Sequence, residues 1–374
     1  MKLGYNFMWA FNRYGTYFGP HHGNPILPPE PEWDPADPPE GWSTERIRSK
    51  KYEVHDEEYL PQWDTWVEAF AGHMRYLRNN LKVDVVRIFL LCNALNYGTL
   101  DQSGIYQPPA YLHPRFRWHF KKILEGAQSG GVQLIPSLID FGIGHPDWKT
   151  VQRAPIVYDR DFYPTIFEPL LEISKAHRST IYAWEVMNEP FWLNARYWPH
   201  RFELKSPSTW LPATPSLPVQ PVVDFLNEGI RRIHLSGFES TVGHRFFSDL
   251  WKYPTGSIPQ FHYYPDSINP ANDDPKSIPD ALTTGLNAPP ILGEFGASEE
   301  QGDPWPELDP ADANSRSNRV FERLKAARRK NYGLAMIWPD GKGDDRTDQT
   351  RDQLKLTPDA EQGVTRYLDH FNLR

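Results

Sequence analysis

Two glutamates stand where apolar strands end. Ile181 to Met187 is a β-prone run of ordinary strand length, and it breaks into Asn188-Glu189-Pro190. Further along, Pro290-Ile291-Leu292-Gly293-Glu294-Phe295-Gly296 closes a second such run in the same way. A carboxylate at the end of a buried strand is costly to desolvate unless it has partners or a task. Pro190 ends the first strand and limits the backbone freedom of Glu189. One Asn-Glu-Pro alone reads as a strand end with a capping acid. Two strand-end carboxylates, each on its own strand, are the pair that hydrolysis of a glycosidic bond requires.

The rest of the chain supplies elements that can bring the two together. Leu3 to Trp9 is a first strand, followed by a long segment from about Asn12 to Pro61 that is crowded with proline, glycine, Trp33 and Trp42. Trp63, Trp66, Val67, Phe70, Met74 and Leu77 recur at helical spacing and predict a helix over Asp64 to Leu81. Strands follow at Val83–Leu91, Val132–Ile139 and Ile181–Met187, with helices at Arg115–Gly130 and Asp161–Arg178 between them. A loop rich in tryptophan, Asn188 to Pro218, leads to a helix around Val222–Ile233. Short strands at Ser240–Gly243 and Gln260–Tyr264 flank a stunted helix near Phe246–Trp251. A short helix from Pro279, the strand Pro290–Phe295, the helix Ser315–Lys330, the strand Tyr332–Trp338 and the helix Asp359–Phe371 complete the chain.

Eight strands, each too apolar for a one-sided sheet, alternate with helices and point to a parallel β/α architecture. A doubly wound open sheet competes, but no glycine-rich phosphate turn follows the first strand. Eight favours closure into a (β/α)₈ barrel, an α/β fold, read here as one domain over residues 1–374. Loops after strands are long and aromatic and those after helices short, which puts the working face at the C-terminal ends of the strands.

Composition narrows the partners. The chain has 374 residues, 39% hydrophobic and 14% aromatic, with a net charge of −8. Its pI near 5.9 argues against nucleic acid, which calls for a basic face. The single cysteine, Cys92, excludes an internal disulfide and fits a reducing compartment. No apolar run approaches the ~20 residues of a membrane span, and no leader is evident ahead of the first strand. The expectation is a cytoplasmic protein, or a secreted one if a leader has been removed.

The order of features resembles glycoside hydrolase clan A, most nearly the family 5 type of retaining β-glycosidase. The resemblance spans the barrel, with motifs at strands 2, 4, 6, 7 and 8. It implies that Glu189 is the acid/base, Glu294 the nucleophile and Asn188 a ligand of the sugar 2-hydroxyl. It also implies roles at the site for Arg87 on strand 2, His262 and Tyr264 on strand 6, and Trp338 ending strand 8. His262 and Tyr264 are two apart on a strand and so share a face. The implied partner is a β-linked oligo- or polysaccharide, glucan or mannan, with no cofactor and no metal. A transglycosylase with the same carboxylates, or a non-catalytic carbohydrate-binding barrel, is the alternative.

One departure stands out. Many family 5 enzymes carry a histidine just after strand 3, where this chain has Ile139-Asp140-Phe141-Gly142 and, slightly later, His145. Each candidate also has a plainer reading: Arg87 could neutralise a buried acid, and His262 could be a satisfied core histidine. Trp192, Trp198, Trp210 and Trp305 suit loop packing as well as sugar stacking. Asp340–Asp345 lacks the alternating acids of a calcium loop, His21-His22 lacks a third ligand, and Arg323–Lys330 reads as the solvated face of an outer helix.

Overall fold

The computed structural model describes residues 1–7, 56–91, 99–100, 106–107, 111–112, 114–140, 156–194, 217–245, 247–263, 286, 288–295, 313–338 and 358–374. His21, His22, Trp33, Trp42, Cys92, His145, Trp198, Trp210, Tyr264, Trp305, the acidic loop at Asp340–Asp345 and nearly all of the helix expected from Pro279 lie outside the described residues, as do the side chains of Trp63 and Trp192.

Eight strands form the centre: β1 (Lys2–Phe7), β2 (Val85–Phe89), β3 (Gln133–Asp140), β4 (Trp184–Asn188), β5 (Ser240–His244), β6 (Gln260–His262), β7 (Ile291–Phe295) and β8 (Leu334–Ile337). Each pairs in parallel with its sequence neighbours, and β1 pairs with β8, so the sheet closes into a barrel. Around it lie α1 (Asp56–Leu81), α2 (Pro114–Gly130), α3 (Glu168–Lys175), α4 (Val219–Leu235), α5 (Ala313–Arg329) and α6 (Pro358–His370). This is the (β/α)₈ barrel that the strand count predicts. Two details differ. Helix α1 starts at Asp56 and runs through Pro61, which the sequence reading took as the end of a loop. The expected helix from Asp161 opens instead with a π-helical turn, Tyr163–Phe167, before α3 begins.

Burial sorts the strand residues into two sets. Outward side chains such as Trp184, Val186, Leu134 and Leu292 join the helices in one apolar layer. Trp184 is wedged between the rings of Phe120 and Phe167, at 5.7 and 5.3 Å. Inside the barrel, Val85, Ile135, Ile291, Leu334 and Met336 form a separate apolar cluster, with Tyr182 and Ile258 packed against it from the segments that enter β4 and β6. Those segments mark the N-terminal end, so the barrel floor is an apolar plug. Above it lie buried polar side chains, among them Asn6, Arg87, Ser137, Glu185 and Gln260.

At the top of β5, His244 is enclosed, with its ring stacked on Tyr253 at 6.1 Å. Burial, helped by the nearby His262, pushes its imidazole down to about 3, and the Pro254 backbone acts weakly in the other direction. The unfolded chain takes up this proton near pH 6.5, whereas the folded protein refuses it until about pH 3. His244 therefore costs nothing above pH 6.5 and destabilises the fold progressively below it. Between pH 6.5 and 4.5 the loss from this group should be about 2–3 kcal/mol. Urea unfolding of wild type and His244→Gln at both pH values should show a smaller acid loss in the variant. Equal losses would remove His244 from the account.

Candidate active site

The polar interior is organised around Arg87. Its position on β2 faces Asn6 on β1 in register, and its side chain is fully buried. All five of its N–H groups have acceptors. Nε and Nη2 donate to the two oxygens of Glu185 at 2.8 and 2.5 Å. Nη1 donates to Glu294 Oε1 at 2.5 Å and to Asn6 Oδ1 at 3.2 Å, and Nη2 also reaches Asn188 Oδ1 at 2.6 Å. Burial alone would drive this guanidinium toward losing its proton. Glu185 first, and Glu294 second, more than reverse that and hold it charged. Arg87 neutralises buried acids, as its plainer reading has it, and one of those acids is the strand-end Glu294.

Glu185 is the residue that the sequence reading passed over. Fully buried on β4, it also accepts from Ser137 Oγ and Gln260 Nε2, each at 2.8 Å. Its signal was present in the sequence: a lone charge within an apolar strand, four positions before Glu189. Asn6 ties the layer to the backbone by donating to the Gly293 carbonyl at 2.9 Å.

Above this layer lie the two predicted carboxylates. His262 Nδ1 is 2.7 Å from Glu189 Oε1 and 3.3 Å from Glu294 Oε2, so one ring nitrogen faces both. That nitrogen must carry the proton if it donates to the carboxylates, which fixes the tautomer. One ligand atom from each of Glu189, His262 and Glu294 lies within 4.8 Å of the other two. A nitrogen and two oxygens this close could ligate a divalent cation, although the Arg87 charge beside Glu294 opposes one.

Simple alternation along a strand would not put these residues where they are. Glu185 and Asn188 both point inward although they are three apart, and the same holds for Ile291 and Glu294. Each pair spans a register shift, between β4 and β5 in the first case and between β6 and β7 in the second. Such a shift re-aims a side chain at the end of a ladder. Glu189 follows β4 with φ of +45°, a left-handed conformation that is uncommon for a residue other than glycine and that the following proline would not favour. A 2.7 Å hydrogen bond from its N–H to the Gly243 carbonyl and the His262 contact to its side chain hold it there. Strain of this kind costs of order 1–3 kcal/mol and persists where the surroundings over-determine it.

Asp140, at the end of β3 where family 5 enzymes often have a histidine nearby, accepts from Asn188 Nδ2 at 2.9 Å. Arg87 on one side and Asp140 on the other therefore fix which way the Asn188 amide points. Trp338, half-buried, comes directly after β8, and its N–H bonds the carbonyl of Phe295, next to Glu294. Of the predicted site residues, Arg87, Asn188, Glu189, His262 and Glu294 converge. Trp338 lies on the adjoining strand end, and Tyr264 is outside the described residues. One surface expectation fails. Arg323 is buried on α5 with its guanidinium 5.3 Å from the centre of the Tyr263 ring, so that cluster is not simply a solvated face.

No protein-family model matches the chain, and no curated protein matches it in sequence. Solved structures do match in fold. A variant of GH5_18 from Streptomyces cattleya in complex with Manβ1-4GlcNAc superposes with a TM-score of 0.57 at 14% identity, covering 83% of this chain and 78% of that one. The β-1,4-mannanase of the common sea hare Aplysia kurodai gives 0.54 at 16% identity, covering 82% and 87%. The β-1,4-D-mannanase of Cryptopygus antarcticus gives 0.53 at 14% identity, covering 81% and 84%. What this chain shares with these proteins is the barrel fold.

Proposed function

We propose that this chain is a retaining β-glycoside hydrolase of the clan A, family 5 type, cleaving O-glycosidic bonds in a β-linked oligo- or polysaccharide of mannan or glucan type. The observation that carries the reading is that a carboxylate oxygen of Glu189 and one of Glu294 lie within 4.8 Å of each other, with His262 Nδ1 facing both groups. Retaining enzymes hold their carboxyl groups about 5–5.5 Å apart, whereas inverting ones need roughly 6.5–9.5 Å to admit a water. The mannanases among the structures of like fold make a β-1,4-linked mannoside the first substrate to try.

The chemistry follows from which oxygen faces what. Glu294 Oε1 is held by Arg87, and Oε2, on the side of His262 and Glu189, is placed to attack the anomeric carbon. Glu189 Oε1 is held by His262, so the proton for the departing oxygen belongs on Oε2. As the bond from Glu294 forms, the exocyclic C–O bond breaks and Glu189 protonates the leaving group. Water then attacks the glycosyl ester, Glu189 takes up its proton, and Glu294 leaves as a carboxylate. The second N–H of Asn188 Nδ2 is the natural donor to the sugar 2-hydroxyl, a contact that strengthens in the transition state.

Stereochemistry is the direct test. Followed by proton NMR on a β-1,4-mannooligosaccharide, the first product should be the β-anomer. An α-anomer appearing first would mean inversion and end this reading.

The two carboxylates should also separate by variant. Glu189→Ala should lose about 10²–10⁴-fold on unactivated mannosides and far less on dinitrophenyl glycosides, which need no protonation. With azide it should release a β-glycosyl azide, and Glu294→Ala with azide an α-glycosyl azide. The opposite pairing of products would exchange the two roles.

Trp338→Ala should raise KM by about 5–30-fold in a cooperatively folded protein, the equivalent of ~1–2 kcal/mol of stacking. Unchanged kinetics would reduce Trp338 to packing.

A further inference from the structure

Glu185 holds the stronger claim on Arg87. It takes two of the guanidinium's N–H groups as a fork, while Glu294 takes one. Its remaining lone pairs are filled by Ser137 and Gln260, and it is fully buried beneath Asn188, where no substrate can touch it. The barrel makes room for this pair. A Cβ at Gly243 would sit 3.0 Å from Gln260 Nε2 and 3.1 Å from both Arg87 Nη2 and Glu185 Oε1. At Gly293 it would sit 2.7 Å from Gln260 Nε2. Two strand positions that would otherwise carry side chains are left empty for the cluster.

We propose that Glu185 is a positioning residue that serves as the permanent counter-ion of Arg87, keeping the guanidinium paired while Glu294 is a neutral ester and its negative charge has passed to Glu189. The proposal rests on the glycosidase reading. In the resting site one buried cation faces two anions, Glu185 and Glu294. When Glu294 bonds the anomeric carbon and the leaving oxygen departs with the proton of Glu189, Glu294 becomes a neutral ester and the negative charge passes to Glu189, which meets His262. If Glu294 were the sole anion bonded to Arg87, that step would move the charge away from the buried guanidinium to Glu189 and break its ion pair, which is unfavourable. With Glu185 in place, the intermediate sits above a neutral ion pair. Hydrolysis of the ester restores the second anion, so the guanidinium is never alone during turnover.

Melting temperatures of Glu294→Gln, Glu185→Gln and Glu185→Asp test the counter-ion without any substrate. Glu294→Gln should melt within about 2 °C of wild type, and Glu185→Gln about 5 °C or more below it. Glu185→Asp, which keeps the charge, should fall between them. Covalent trapping by 2,4-dinitrophenyl 2-deoxy-2-fluoro-β-mannobioside, read by mass spectrometry, tests the link to chemistry. Trapping should slow about 100-fold or more in Glu185→Gln and recover to within about tenfold of wild type in Glu185→Asp. If Glu185→Gln does not fold, Glu294→Gln still decides. Melting of Glu294→Gln near wild type supports the proposal, and a loss of about 5 °C or more in Glu294→Gln overturns it. Trapping of Glu185→Gln at the wild-type rate overturns it too. A wild type that neither hydrolyses nor is trapped by any β-glycoside would sink the glycosidase reading, while the melting comparison would still judge the counter-ion.

Discussion

A buried guanidinium sets the terms for the inside of this barrel. Removing Arg87 from water is expensive, and the expense is recovered only if every N–H finds an acceptor and the charge finds an anion. Those acceptors come from β1, β4 and β7, so one side chain on β2 reaches across the interior to three other strands. Lysine could not replace it, because a single ammonium cannot present a fork to Glu185 and further donors to Asn6, Asn188 and Glu294. The apolar floor of Val85, Ile135, Ile291, Leu334 and Met336 matters to the same end, since it closes one side of the polar layer to water. What stands above the layer inherits its order. Glu294 and Asn188 are held by the same guanidinium, and Glu189 meets Glu294 through His262.

The sequence shows the architecture well and the interior less well. Mostly apolar strands such as Leu134–Ile139 and the wholly apolar Leu334–Ile337 announce burial on both faces, and their alternation with amphipathic helices leaves few topologies. Strand-end placement made Glu189 and Glu294 visible, because a carboxylate after an apolar run invites the question of its partners. Glu185 escaped notice because it sits inside such a run, flanked by Trp184 and Val186, which pack outward. Period-two reasoning also breaks down at the two strands that matter most. A register shift is a property of the pair of strands, and nothing local in Trp184–Asn188 or Ile291–Phe295 specifies it.

Proline was a partial guide: Pro190 does follow the end of β4, but local preference is overridden at Pro61 and at Glu189. Pro61 reads as a helix stop, yet α1 continues through it, since packing of the long apolar face outweighs the lost hydrogen bond. Pro190 disfavours helical backbone at the residue before it, but the left-handed turn at Glu189 is imposed from outside by the Gly243 carbonyl and by His262. In both cases local preference of about 1–3 kcal/mol yields to tertiary constraints.

The distribution of the polar layer along the chain bears on assembly. Asn6, Arg87, Ser137, Glu185 and Asn188 all belong to β1–β4, whereas Gln260, His262 and Glu294 belong to β5–β8. A nascent N-terminal half can therefore form the Arg87–Glu185 pair unaided, as soon as β2, β3 and β4 lie side by side. Glu294, the inward glutamate of the C-terminal half, meets Arg87 only across the finished ring. Ribosomal synthesis delivers the self-sufficient half first, so closure amounts to presenting a second anion to a cation already neutralised. A chain permuted to begin at β5 would reverse that sequence and expose Glu294 to the interior before Arg87 had arrived.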